Sequence, residues 1–176
     1  MRWTGWSAAW VCGVAGGSLY VDERVRETAA PPGAVWRVVE GIGGDTGWYS
    51  WPLAWQVRGV LDRLVGGVGL RRGRRDPRRL YVGEALDFWR VEEVEEGRLL
   101  RLRAEMRLPG LAWLEFHVEH EGGTTRLRQK ATFHPRGLLG HLYWWSVAPF
   151  HGVVFGGMAR GIARTAEAQP APVAAS

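Results

Sequence analysis

At 176 residues the chain fits one domain and is long enough to bury a substantial core. Cys12 is the only cysteine, which excludes an internal disulfide framework and suits a reducing cytoplasm. The formal net charge of +5 comes almost wholly from arginine spread through every segment, with Lys130 the only lysine. That spread reads as the coding bias of a GC-rich genome, and it gives an anionic partner little support.

Residues 1–17 interleave Trp3, Trp6 and Trp10 with small residues. Arg2 followed by Ala8 to Ala15 resembles the start of a secretory signal. The apolar run is short and broken, however, and no small-x-small cleavage site follows. Val11 also stands before Cys12, where a lipoprotein signal needs a small residue. The expectation is a loosely ordered leader on a cytoplasmic protein, then a domain over residues 18–167 and a Pro/Ala tail over 168–176.

Leu19 to Thr28 alternates, with Leu19, Val21, Glu23 and Val25 in phase, and predicts an edge strand ended by Pro31-Pro32. Pro32 suits the first turn of a helix running to about Glu40, with Val35, Trp36 and Val39 on one face. Gly41 to Gly47 is a glycine-rich loop. It follows a helix rather than a strand, and Thr46 stands where a phosphate cradle needs its third glycine, so no nucleotide site is expected. A second helix is expected from about Pro52 to Val65, with Leu53, Val57, Val60, Leu61 and Leu64 at helical spacing. The arginine-rich stretch Arg71 to Arg79 carries no aromatic residue on which a base could stack. It is expected to be a solvated loop, and no nucleic-acid partner is expected.

From Asp87 to Phe133 the pattern is that of four antiparallel strands in succession. Asp87, Trp89 and Val91 share one phase, opposite Phe88, Arg90 and Glu92. Leu100, Leu102, Ala104, Met106 and Leu108 alternate with Arg101, Arg103, Glu105 and Arg107. Leu114, Phe116 and Val118 then alternate with Glu115, His117 and Glu119. Finally Leu127, Gln129, Ala131 and Phe133 alternate with Arg126, Arg128, Lys130 and Thr132. Strand side chains point to opposite faces with period two, so each segment has one buried and one wet face. The links Glu96-Gly97, Pro109-Gly110 and Gly122-Gly123 carry turn chemistry. Such a sheet requires a cover for its apolar face.

After Pro135 the alternation stops, and Leu138 to Met158 contains no formally charged residue. Its length and its Gly-x-x-x-Gly spacings would suit a membrane span. The sheet's need for a lid favours the other reading, a cover helix entered around Leu142 to Trp145 and bent near Pro149. No membrane span is therefore expected.

The order strand, two helices, antiparallel meander and long C-terminal helix resembles the START-like (SRPBCC, polyketide cyclase-like) helix-grip superfamily, an α+β fold whose sheet wraps a long C-terminal helix. More narrowly, the chain resembles a bacterial family of that superfamily with no assigned reaction, often appended to NAD(P)-binding epimerase-like domains. The likeness covers about Leu19 to Thr165. It rests on Val35-Trp36, Gly43 to Tyr49, Asp87 to Val91, Leu108 to Phe116, Tyr143-Trp144 and Pro149-Phe150-His151. The segment before Leu19 is too short for an NAD(P)-binding domain, so any NAD(P)-dependent oxidoreductase partner would have to be a separate chain.

A helix-grip fold implies a cavity between the concave sheet face and the long helix. The alternation then assigns Trp89, Met106, Phe116 and Phe133 to its walls, and Asp87 and Gln129 as polar anchors for a small hydrophobic molecule. A buried carboxylate or amide without partners costs of order a few kcal/mol, so both need an explanation. Asp87 has a plainer one, as a strand-start residue capping backbone or pairing with arginine. Trp48 and Trp55 are expected at the mouth, where an apolar ring with a polar tip is suited. His151 is a satisfied histidine, or else either it or Asp87 is the acid or base in a cyclase- or dehydratase-type enzyme of the same fold. No metal or cofactor is expected, because His117 and His120 have opposite strand parity and no third ligand accompanies them. The chain also has no nucleophile elbow, catalytic cysteine or outstanding carboxylate pair.

Overall fold

A computed structural model describes residues 19–43, 47–49, 76 and 79–169. The expected leader, the second helix, Trp55, most of the arginine-rich loop and most of the tail lie outside the described residues. Within them the order is β1 (Tyr20–Thr28), α1 (Pro32–Glu40), β2 (Ala85–Leu86), β3 (Trp89–Glu95), β4 (Leu99–Ala104), β5 (Gly110–Glu121), β6 (Thr124–Pro135) and α2 (Gly137–Ala168).

The strands form one antiparallel sheet in the order β1-β6-β5-β4-β3-β2, so β1 is an edge strand. Leu100, Leu102, Leu114, Phe116 and Leu127 are fully buried on one face. Arg101, Arg103, Glu115, Arg128 and Lys130 share the other face with Glu23, Glu92 and Glu119 in a lattice of partly exposed ion pairs. Such exposed pairs each contribute little, so the buried face holds the sheet. The β5–β6 link is the two-residue Gly122-Gly123 turn, with φ of +59° and +81°. Positive φ at both central residues matches the twist of a tight hairpin and favours glycine.

Helix α1 starts with Pro32 in its first turn and buries Ala34, Val35, Trp36, Val38 and Val39. Helix α2 is 32 residues long, continues through Pro149, and packs on β1, β6 and α1. Met158 and Ile162 on its inner side are fully buried within the same core as Leu102 and Phe116. A Cβ at Gly161 would overlap the backbone carbonyl of Tyr49, so only glycine lets the helix lie this close to the loop after α1. The lid that the sheet requires is therefore α2, and among the described residues no helix is long and apolar enough to cross a membrane.

One expectation about the sheet needs correction. Asp87 and Phe88 do not begin a strand. They form the two-residue turn between β2 and β3, where Leu86 pairs with Trp89 and Asp87 takes a φ of +56°. A turn abolishes period two, so Phe88, expected on the wet face, is buried beside Asp87. Strand β3 also carries an irregularity, where Val91 pairs with Leu102 but Glu93 pairs with Arg101. This bulge inserts one residue and brings Val94, rather than Glu93, opposite Leu100.

Candidate functional site

Three groups of side chains meet between the sheet and the elements that cover it. The first lies at the β2–β3 turn. Asp87 is only 2% exposed, and the Trp48 indole N–H donates to its Oδ2 at 2.8 Å. Trp48 stacks on Phe88 with ring centroids 5.9 Å apart, and Trp89 packs obliquely against both rings. Gly43 sits directly over this turn, where a Cβ would meet the Leu86 side chain at 2.7 Å. Trp48 is thus a buried partner of Asp87, whose carboxylate lies against Gly43. Replacing Trp48 by Phe keeps the stacking but removes the donor. Urea titration should show a loss of about 1–3 kcal/mol, as for a buried acceptor deprived of a hydrogen bond, and an unchanged midpoint would contradict that role.

The second group surrounds Gln129 in the middle of β6. Its residue pairs with Phe116 on β5 and with Arg24 on β1, all on the concave face. Gln129 is 1% exposed, and its Oε1 has no hydrogen-bond partner among the described residues. The buried Trp89 Nε1 is in the same position. Met106 lies beyond the end of β4 and packs, half-buried, against this core.

The third group runs between β1 and α2. Pairing of Asp22 with Ala131, Arg24 with Gln129 and Arg26 with Leu127 puts Tyr20, Asp22, Arg24, Arg26 and Thr28 on the concave face. The Tyr20 hydroxyl lies 2.7 Å from His141 Nδ1, and its ring stacks on Trp144. Trp144 stacks in turn on Phe133, so this expected wall residue is covered by the helix. Arg24 donates to Asp22 at 3.0 Å, and Asp22 lies 3.9 Å from His151. His151 is wedged between Trp144 and Phe155. Burial lowers its pKa from the usual 6.5 to about 4, outweighing the pull of Asp22 toward the charged form. Imidazole at position 151 is therefore neutral at pH 7.

Sequence reasoning did not single out Tyr20, Asp22, Arg24 or Arg26. Both phases of β1 mix charged and apolar residues, so only the register against β6 identifies the inner one. The structure brings Gln129, Phe116, Arg24 and the Asp22–His151 pair to neighbouring positions under α2, and keeps Trp48 and Asp87 apart at the β2–β3 turn.

An antiparallel sheet closed by a long C-terminal helix, with a few polar groups buried between the two, defines a helix-grip fold. Solved structures of the same architecture include truncated norcoclaurine synthase from Thalictrum flavum, with a TM-score of 0.53 and 15% identity over 90% of this chain and 99% of that one. Another structure of norcoclaurine synthase from Thalictrum flavum has a TM-score of 0.51 and 16% identity over 96% and 98% of the two chains. At these identities the likeness shows the fold. The chain belongs to the family described as Protein of unknown function (DUF2867), whose model matches residues 14–158. No curated protein matches it.

Proposed function

We propose that this protein binds a small hydrophobic molecule between the concave sheet face and α2, with Gln129 as its polar anchor. The observation that carries this reading is the Gln129 amide, buried in the middle of an apolar face with its Oε1 lacking a hydrogen bond among the described residues. A buried acceptor left unmade costs about 1–3 kcal/mol, a penalty that a ligand hydroxyl or amide would relieve. Phe116 supplies apolar surface directly beside it, Trp89 and Met106 belong to the same core further across the sheet, and Phe133 lies beneath Trp144. Asp87, already engaged by Trp48, is the weaker anchor.

Native mass spectrometry of the purified 19.7 kDa protein tests this reading. The expected result is an added mass released by organic solvent, or one acquired from a panel of apolar alcohols and quinones. Gln129→Leu should then retain or gain stability while binding hydroxyl- or carbonyl-bearing members about tenfold more weakly, the factor for one lost hydrogen bond. Equal affinity of both forms would remove Gln129 from the site.

One observation favours a second reading. His151 is neutral, and its buried Nδ1 has no hydrogen bond among the described residues. With its pKa pushed down to about 4 the ring is a weak base, so a cyclase- or dehydratase-type enzyme of this fold would need the charge of a bound substrate to raise it. Turnover on polyketide-like substrates that His151→Leu abolishes without weakening binding would establish catalysis. The separate NAD(P)-dependent oxidoreductase belongs to the same proposal, as an enzyme supplying or consuming the bound molecule. Co-purification of the two chains tests it.

A further inference from the structure

Helix α2 and strand β1 run side by side in the same direction, and the contacts between them form a ladder. Tyr20 meets His141, and Asp22 meets His151. Arg24 lies over Gly156, where a Cβ would come within 3.2 Å of its Nη1. The Thr28 hydroxyl donates to Glu167 at 2.7 Å. Arg26 occupies the rung between Arg24 and Thr28, and Arg160 lies one helical turn beyond Gly156 on the facing element.

The carboxylates on the neighbouring rungs are engaged, Asp22 by Arg24 and Glu167 by Thr28. Neither Arg26 nor Arg160 has an ion pair among the described residues. The Arg26 Nε is buried without a hydrogen bond there. Burial and repulsion from Arg160 and Arg24 both lower the Arg26 pKa from its ordinary value. Guanidinium groups deprotonate too reluctantly to relieve such crowding by losing a proton, whereas an anion between them would relieve it.

We propose that Arg26 and Arg160 form an oxyanion subsite at the open edge between β1 and α2, which holds the carboxylate or phosphate head of an amphipathic ligand. Arg24, paired with Gln129 across the strands, continues the polar track from that edge to the buried amide. The guanidinium fork accepts either oxyanion through paired, charge-assisted hydrogen bonds, while the apolar body of the ligand lies under α2. This inference rests on the ligand-binding reading above and adds the charge of the molecule.

Calorimetric titration of the full chain with decanoate, decyl phosphate and decanol separates the two ideas. The expected result is that at least one anion binds about tenfold or more tightly than decanol, the effect of one charged hydrogen bond. The tighter of the two anions identifies the head group. Arg26→Gln and Arg160→Gln should each remove most of that preference while leaving decanol affinity unchanged. Arg26→Gln should also melt at the same temperature as the parent or above it, because a repulsion is relieved. Equal binding of all three probes would overturn the oxyanion subsite and leave the apolar site standing. Binding of none would overturn both. A lower melting temperature for Arg26→Gln would make Arg26 a structural cation and also overturn the subsite.

Discussion

Phe116→Ala is expected to lower the unfolding free energy by about 3–5 kcal/mol, the range for truncating a buried aromatic ring. Phe116 is fully buried at the centre of β5, between Leu100 of β4 and Gln129 of β6. Against a total stability of about 5–15 kcal/mol, such a loss would be about a fifth or more of the whole. Denaturant titration measures it directly. A loss below about 1 kcal/mol would mean that the sheet and α2 are not packed through Phe116, and would detach the ring from any binding site.

Acidification should destabilise the protein through His151. The folded-state pKa of about 4 lies below the usual 6.5, so between those values the unfolded chain binds a proton that the folded chain refuses. Stability therefore falls as pH drops from about 6.5 toward about 4, and this contribution levels off below that. The shift corresponds to about 3 kcal/mol. Asp22 and Arg24 face the ring from β1, and Trp144 and Phe155 pack against it from α2 itself. The His151→Leu variant should show a flatter profile, most clearly above pH 5, where carboxylates of ordinary pKa stay ionised. Matching slopes for both proteins would mean that His151 is solvated, not wedged under the helix.

The sheet was legible in the sequence wherever one face is wet. Within β4, β5 and β6 charged residues alternate with largely apolar ones, because period two is enforced by water on one side and the core on the other. Pro32 and the uncharged run after Pro135 likewise mark α1 and α2. The β2–β3 turn was hidden, since Leu86-Asp87-Phe88-Trp89 holds neither glycine nor proline and reads as continuing strand. Its left-handed residue is an aspartate, which tolerates that conformation, and it is anchored by Trp48, 39 positions away. The inner face of β1 was hidden for a related reason. Its partner strand lies about a hundred residues downstream, and Val21 and Val25 point outward with Glu23 and Glu27 while Arg24 and Arg26 point in. Gln129 was legible because a single amide interrupts an otherwise apolar phase. The arginine track beside it was not, so the sequence pointed to an apolar ligand with one anchor and gave no hint of charge.

The helix-grip reading of function depends on a molecule held beneath α2 against β6. Photolabelling with an apolar diazirine probe, followed by peptide mapping, places that molecule directly. Labels are predicted on the inner positions of β6 between Thr125 and Phe133 and on Met158 and Ile162 of α2, and decreased labelling there is predicted for Gln129→Leu. Labels confined to the exposed Leu138, Leu139, Leu142 and Trp145 of α2, with none on β6, would place the probe on the outer surface and contradict the account.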